Sequence, residues 1–172
     1  VKEWVTGGIR AYLRSSFESN HQLDVQGQEN IPTDGGCLVA ANHQSWLDAQ
    51  VLAVATKDRL HFVAKADFGD WPMLRHLLDL TDSILIRRGG DNDGLKRIEE
   101  AVLGGERVVI FPEGTIPGEE DVPRWEVDPT TRLLRGHTGA VRIAIATGRP
   151  VIPCGVSGTG RAFPPEAYPR FE

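Results

Sequence analysis

Strand-like and helix-like segments alternate along most of this 172-residue chain. Apolar runs that predict strands cover 37–41, 60–64, 83–87, 107–111 and 150–156. Between them, apolar residues at helical spacing predict helices over 46–56, 72–79, 94–103 and 137–147, the third with Asp93 as its N-cap. The alternation predicts an α/β fold: one domain with a mainly parallel central sheet and helices on both faces. In such folds, functional groups collect at the carboxyl ends of the strands.

Three segments lie outside this alternation. Residues 1–20 form a predicted amphipathic helix whose apolar stripe faces either the core or a membrane, because its other face is basic. Leu23 and Val25 predict a short strand. Residues 116–135 are acidic, contain prolines and lack a period, which predicts a surface excursion within the main domain, 21–172.

Composition excludes several classes of protein. A formal net charge of −5 argues against a nucleic-acid partner, which needs a basic face. No apolar stretch reaches the ~18–20 residues of a bilayer span, so we expect a soluble or peripheral chain. The chain begins at Val1 and its only methionine is Met73, so we expect the native start to lie upstream. Cys37 and Cys154 lie in apolar runs, which favours reduced core thiols in a cytosolic compartment.

A histidine and an aspartate five residues apart, His43 and Asp48, follow the first predicted strand. On a continuous helix they would point about 140° apart, so they meet only if His43 precedes the helix and Asp48 lies in its first turn. Asp48 would then orient the imidazole as a general base for a hydroxyl. A capping box from Ser45 to Asp48 explains the aspartate equally well. The two roles are compatible, because one carboxylate oxygen could cap the helix while the other accepts the hydrogen bond from the imidazole Nδ1–H. A metal site is disfavoured because the two side chains lack a third ligand nearby.

A second possible chemistry is a nucleophilic serine. Ser157 lies in Gly-Val-Ser-Gly-Thr, which is similar to a nucleophile elbow but ends in Thr159 instead of glycine. A serine hydrolase is therefore a minor alternative.

Four segments in order resemble the sequence blocks of the glycerolipid acyltransferases: Asn42–Asp48, Ser83–Arg88, Phe111–Thr115 and Val151–Cys154. Two shorter similarities, Gly27–Pro32 and Ala64-Lys65, accompany them, so the resemblance runs from about residue 25 to 158. Each block alone is weak, but four at plausible spacing are specific.

The resemblance implies transfer of an acyl chain from acyl-CoA or acyl-carrier protein to the free hydroxyl of a lysophospholipid. The expected acceptor is 1-acylglycerol-3-phosphate, and the product is phosphatidic acid. By position, His43 is the base and Asp48 its orienting residue. The implied substrate-binding residues are Lys65, Arg88, Glu113, Gly114 and Thr115. Arginine suits a phosphate and glycine lets the backbone approach a ligand, whereas the Glu113 carboxylate would bond an acceptor hydroxyl or position Arg88.

Two departures from the family pattern weaken the acceptor assignment. The third block often continues Arg-Ser, where this chain has Ile116-Pro117. The excursion 116–135 also separates that block from Leu134-Arg135-Gly136, where the family has a basic link, and Arg135 is the candidate for that role.

We expect direct transfer in a ternary complex, without an acyl-enzyme and without a cofactor beyond the acyl thioester co-substrate. Backbone N–H groups at the helix start near Ser45 are candidate oxyanion donors. The expected location is the cytoplasmic face of a membrane, peripherally or through an anchor outside this chain. A non-catalytic lipid-binding module of the same fold is the rival hypothesis. His43, Asp48 and Glu113 together argue against it, because binding alone needs no base.

Overall fold

Parallel strands form the central sheet, each built from one of the predicted apolar runs. The computed structural model describes residues 2–56, 58–70, 75, 78, 81–87, 92–117, 128, 130 and 133–164. Within these residues the strands are β1 (Cys37–Ala41), β2 (His61–Lys65), β3 (Ile84–Ile86), β4 (Arg107–Ile110) and β5 (Val151–Cys154). Their order is β3-β2-β4-β1-β5, and each pairing is parallel. The predicted α/β fold is confirmed.

Helices cover both faces of the sheet. The described helices are α1 (Lys2–His21), α2 (Leu47–Ala55), α3 (Asn92–Leu103), α4 (Gly139–Thr147) and the short α5 (Thr159–Ala162). Alternate strand residues point to opposite faces, so β1 contributes to two apolar clusters. Val39 packs in the cluster that contains Leu52 of α2, and Leu38 packs with Ile98 of α3 and Ile143 of α4.

The N-terminal helix α1 is docked on α2. Phe17 is buried, and the Arg10 guanidinium donates to the carbonyl oxygens of Ala53 (2.7 Å), Thr56 and Asp58 (3.2 Å) near the end of α2. These bonds satisfy carbonyl groups that a helix end leaves without intrahelical partners. Burial, with a smaller contribution from Arg14, lowers the pKa of Arg10. In the part of the chain that is described, no helix has the length and apolarity to cross a membrane.

Three local predictions differ from the structure. Residues 22–27 form no strand; instead Leu23 N–H donates to the Phe17 carbonyl at the end of α1 (3.3 Å). Asp93 lies inside the first turn of α3 instead of capping it, because the helix begins at Asn92. The four-residue helix α5 was not predicted. Most of the predicted helix 72–79 and of the excursion 116–135 lies outside the described residues.

Candidate active site

The turn between β1 and α2 brings His43 and Asp48 together. His43 lies two residues after the end of β1, ahead of the helix, and Asp48 lies in the first turn of α2, so the two side chains meet as the rotation argument required. His43 Nδ1 lies 2.9 Å from Asp48 Oδ2. The Asp48 side chain is fully buried, whereas 17% of the His43 side chain is exposed. A buried carboxylate on Nδ1 favours the tautomer that leaves Nε2 as the proton acceptor.

A single oxygen of Asp48 organises the whole turn. Oδ2 also accepts hydrogen bonds from the backbone N–H groups of Gln44 (2.7 Å) and Ser45 (2.9 Å). Oδ1 has no hydrogen-bond partner among the described residues. The prediction that one oxygen caps the helix while the other accepts the imidazole was therefore wrong, because Oδ2 does both.

Ser45 braces this turn instead of capping α2 in the predicted way. The helix begins at Leu47, one residue later than a Ser45 cap requires. Ser45 Oγ donates to the Phe163 carbonyl (2.9 Å) and accepts from Leu47 N–H (3.3 Å). The hydroxyl thus joins the turn between β1 and α2 to the residue that follows α5.

Four backbone N–H groups near the helix start, where oxyanion donors are expected, are already bonded within the protein. The N–H groups of Gln44 and Ser45 are bonded to Asp48, that of Leu47 to Ser45 Oγ, and that of Asp48 to the Ser45 carbonyl. A donor already bonded inside the protein is poorly suited to an oxyanion. The bonding of these four groups therefore argues against them as oxyanion donors, and the position of the oxyanion hole stays a prediction.

Glu113 bridges two backbone segments beneath the histidine. Its side chain is buried, with 6% of the residue exposed. Oε1 accepts from the His43 N–H at 2.8 Å, and Oε2 accepts from the Leu134 N–H at 2.9 Å. Hydrogen bonds to a charged acceptor are worth about 1.5–3 kcal/mol each. The carboxylate thus holds the His43 backbone in place, and its predicted contact with an acceptor hydroxyl stays a prediction.

Two residues that the sequence did not single out individually also hold the histidine and its turn. The ring of Phe111, directly after β4, stacks on the His43 imidazole with centroids 3.9 Å apart and planes 14° apart. The Asn42 amide pairs with both backbone groups of Val156: Nδ2 donates to the carbonyl (2.9 Å) and Oδ1 accepts from the N–H (2.6 Å). Both residues lie directly after neighbouring parallel strands. This position, at the carboxyl ends of the strands, is the sequence feature from which their place in the site could have been predicted.

Two basic residues, Lys65 and Arg87, lie at the ends of neighbouring strands on the same edge of the sheet. Lys65 ends β2, and its Nζ lies 5.8 Å from the centre of the Phe68 ring. Since strands are about 4.8 Å apart, β2 lies about 10 Å from β1 and β3 about 14 Å from it. Arg87 directly follows β3, whereas Arg88 is outside the described residues. The basic groups are therefore displaced from His43 toward the β3 edge.

The turn after Glu113 departs from the family pattern physically as well as in sequence. Gly114 has φ +70°, a conformation that favours glycine, and a side chain there would contact the His137 imidazole, 3.5 Å away. Thr115 is partly buried. Ile116, at the position where the family often has arginine, is 3% exposed and belongs to the apolar interior. The exposed residues Arg135 and His137 are the polar groups beyond it.

The rival chemistries find little support in the geometry. Ser157 is exposed, and no hydrogen bond joins it to a histidine in the described part of the chain. Burial raises the pKa of both thiols, Cys37 and Cys154, which disfavours a thiolate nucleophile at neutral pH. Among the described residues, no group of three or more His, Cys, Asp or Glu is placed to hold a metal ion.

Comparisons with known proteins find acyltransferases among the relatives of this chain. A chloroplastic 1-acyl-sn-glycerol-3-phosphate acyltransferase of Brassica napus is 32% identical over 148 residues, which cover 84% of this chain and 40% of that relative. A lyso-ornithine lipid O-acyltransferase of Pseudomonas aeruginosa is 30% identical over 118 residues, 67% of this chain and 45% of the relative. The chain thus spans less than half the length of these two curated relatives.

A solved structure has a similar fold. The crystal structure of the 1-acyl-sn-glycerophosphate (LPA) acyltransferase from Thermotoga maritima superposes with a TM-score of 0.63 at 26% sequence identity, covering 87% of this chain and 56% of that chain. The family model for acyltransferases matches residues 22–157, well over half of this chain. The protein belongs to the acyltransferase family.

Proposed function

We propose that this protein transfers a fatty acyl chain from an acyl thioester to the free hydroxyl of a lysophospholipid. One observation carries the proposal: a partly exposed imidazole, His43, is hydrogen-bonded through Nδ1 to a fully buried carboxylate, Asp48. This arrangement gives Nε2 the role of general base. A non-catalytic lipid-binding module would not require it.

The reaction proceeds by direct transfer. Nε2 of His43 takes the proton of the acceptor hydroxyl while the hydroxyl oxygen attacks the thioester carbonyl. The carbon–sulfur bond then breaks, and the proton on Nε2 passes to the departing thiolate. Asp48 stabilises the imidazolium that exists between these steps. Glu113 holds the backbone of His43, and Phe111 stacks on its ring, so both keep the imidazole in position.

No acyl-enzyme is needed in this scheme. The raised pKa of Cys37 and Cys154, caused by burial, argues against a thiolate intermediate. No cofactor is required beyond the acyl thioester itself, which is a co-substrate.

The acceptor that we propose first is 1-acylglycerol-3-phosphate, converted to phosphatidic acid. The name of the Brassica napus relative supports this choice. The acceptor phosphate would be held by Lys65 and Arg88, with Gly114 and Thr115 close to the glycerol part. Because Ile116 is buried where the family often has arginine, lyso-ornithine lipid, the acceptor named for another relative, belongs in the same substrate panel.

We propose a peripheral position on the cytoplasmic face of a membrane, where both the lysolipid and the thioester are accessible. On α1, Ile9 and Tyr12 are exposed, Tyr12 at 74% of its surface. Exposed apolar side chains on an amphipathic helix suit the interface of a bilayer. Flotation of the full chain with phosphatidylglycerol-containing liposomes tests this, and a Tyr12→Ser variant should float less. Equal flotation of both proteins would remove α1 from the interface.

The test of the proposed reaction is a donor and acceptor panel with mass-spectrometric detection of products. Lysophosphatidic acid and lyso-ornithine lipid are each offered with oleoyl-CoA and with oleoyl-carrier protein. We expect acceptor-dependent diacyl product, which is absent with Asp48→Asn and retained with the exposed control Asp34→Asn. A parent protein that binds lysolipid and forms no product with any pair would support the lipid-binding module instead.

A further inference from the structure

Helix α4 leaves an apolar face exposed. Ile143 on its inner side is fully buried, whereas Val141 and Ile145 are exposed at 59% and 79% of their surface. These two exposed side chains are one helical turn apart, so they adjoin each other on the surface. Ile145 is more exposed than any other large apolar side chain in the described part of the chain. Adjoining exposed apolar side chains on one helix make this face a candidate binding surface.

Positive charge surrounds this apolar face. Residues 133–164, which contain α4, include no acidic residue, although the whole chain has a net charge of −5. The same residues include four arginines: Arg135, Arg142, Arg149 and Arg161. Arg142 borders the apolar pair on α4 and is exposed, and it forms no ion pair with any described residue. The face therefore fits a partner that is acidic and presents some apolar side chains.

The same helix begins at the candidate active site. Leu134, in the segment that leads into α4, donates its N–H to Glu113, the carboxylate that also holds the His43 backbone. This bond keeps the start of the helix at the edge of the sheet that carries the site. Val141 lies about 3 Å and Ile145 about 9 Å along the helix axis from the first helical residue, at about 1.5 Å per residue. A partner bound to this face would therefore lie beside the site.

Two other occupants of the face fit less well. A flat bilayer in contact with α1 cannot also contact α4, because the two helices lie on opposite faces of the sheet. Helix α1 packs on α2, whose Leu52 belongs to one apolar cluster, whereas Ile143 of α4 belongs to the other. A second copy of this chain, bound through the same face, would bring the Arg142 side chains of the two copies toward each other, and like charges oppose such a contact.

We propose that the exposed face of α4, formed by Val141, Arg142 and Ile145, docks the acyl-carrier protein that delivers the acyl thioester. The proposal rests on the proposed function and deepens it, because it names the donor and gives it a place on the protein. An acyl-carrier protein is small and strongly acidic, and it carries the acyl chain as a thioester on a pantetheine arm. An extended arm of about 13 bonds reaches about 15 Å at about 1.2 Å per bond. A carrier protein on α4 can therefore present the thioester at the edge of the sheet where His43 lies.

Two donors with the same acyl chain test the proposal. Arg142→Glu should raise the KM for oleoyl-carrier protein about tenfold, because it turns an attractive charge into a repulsive one. Ile145→Ser should raise the same KM about fivefold, because it removes apolar contact area. In both variants the KM for oleoyl-CoA and the kcat with either donor should match the parent. Lys96→Glu and Leu103→Ser, at exposed positions of α3, are the matched controls and should change neither KM.

Four results would overturn the proposal. One is an equal rise in KM for both donors, and another is a carrier-protein KM that is the same in the variants and their controls. A third is a parent protein that uses oleoyl-CoA and not oleoyl-carrier protein, which leaves the proposed acyl transfer intact. The fourth is an unchanged carrier-protein KM in Ile145→Ser together with lost liposome flotation or a lost dimer in sedimentation, which would assign the face to a bilayer or to a second copy.

Direct binding separates the docking face from the reaction. Calorimetric titration of acyl-carrier protein into the full chain requires no turnover. We expect binding that is about tenfold weaker in Arg142→Glu than in Lys96→Glu, and weaker in the parent at about 0.3 M than at about 0.05 M NaCl. This result supports the docking face even if the parent transfers no acyl chain. No binding by the parent, or equal binding by both variants, refutes the docking face even if transfer is observed.

Discussion

Replacing Glu113 by glutamine isolates what its carboxylate does. In the parent, the two oxygens accept from His43 N–H and Leu134 N–H at 2.8 and 2.9 Å, in a position that is 6% exposed. Glutamine has the same size but only one acceptor oxygen. Its NH₂ group must therefore face one of the two N–H groups, donor against donor.

The cost can be worked out from these two bonds. The bond that is lost leaves a buried N–H unsatisfied, at about 1–3 kcal/mol, and the surviving bond loses about 1 kcal/mol when its acceptor becomes neutral. The sum is about 2–4 kcal/mol, or about 4–16 °C in Tm for a domain of this size. Because the His43 backbone loses its anchor, kcat should fall about 10–100-fold, whereas the KM for the acceptor should change little.

Thermal unfolding and steady-state kinetics of the same protein samples measure both effects. Glu113→Asp serves as a second variant, since it keeps the charge but is too short to reach both N–H groups, and it should show the same losses. Glu100→Gln, an exposed glutamate on α3, is the control and should match the parent. An unchanged Tm with a raised acceptor KM and normal kcat would refute the bridge and make Glu113 a substrate ligand.

Three further predictions concern the histidine ring, the docked helix and the thiols. Phe111→Leu should lower kcat about tenfold at nearly constant KM and Phe111→Tyr should restore it, because the 3.9 Å stack on His43 needs a flat ring; full kcat in the leucine variant contradicts this. Arg10→Ala should lower the free energy of unfolding in urea by about 1–3 kcal/mol, because Arg10 donates to carbonyl groups at the end of α2. Arg14→Ala should lower it by less than about 0.5 kcal/mol, because Arg14 forms only an exposed ion pair with Glu18. Equal losses in the two variants would show that the bonds from Arg10 to α2 do not stabilise the fold. Burial raises the pKa of both thiols above their ordinary value of 9.0. As pH rises, the two thiols therefore ionise in the unfolded chain before they ionise in the folded protein. The stability they contribute is fully present below about pH 9 and is lost as pH rises further. The free energy of unfolding in urea, measured from about pH 8 to about pH 10.5, should therefore fall more steeply with pH for the parent than for a Cys37→Ala/Cys154→Ala variant. Equal slopes would contradict the raised pKa of the two thiols.

The centre of the sheet was predictable from sequence because β1 and β4 are buried on both faces. Such strands appear as continuous apolar runs, and β1 coincides with its predicted bounds, Cys37–Ala41. Leu23 and Val25 have the same residue types but no neighbouring strand, so β-propensity alone did not make a strand there. The four-residue helix α5 is too short to produce a periodic pattern.

The meeting of His43 and Asp48 was predictable because five residues and one helix start fix its geometry. The contacts that support the pair were not. Glu113 bonds to the backbone of a residue 70 positions away. Almost every residue has a backbone N–H, so the residue types do not indicate which of these groups Glu113 contacts. The choice of Oδ2 for three donors depends on the side-chain rotamer of Asp48, which residue type does not determine. The burial of Ile116 follows from the path of the chain after β4, which the pattern of residues left open.

The most direct test of the central claim is the rate of thiol release from oleoyl-CoA in the presence of lysophosphatidic acid, compared between His43→Ala and His21→Ala. His21 ends α1 and is exposed, so its variant controls for the loss of an imidazole. We predict that His43→Ala, folded with the parent's circular dichroism, loses about 10²–10⁴-fold in kcat, while His21→Ala retains the parent rate. A folded His43→Ala protein with the parent rate would contradict the claim that this imidazole is the base.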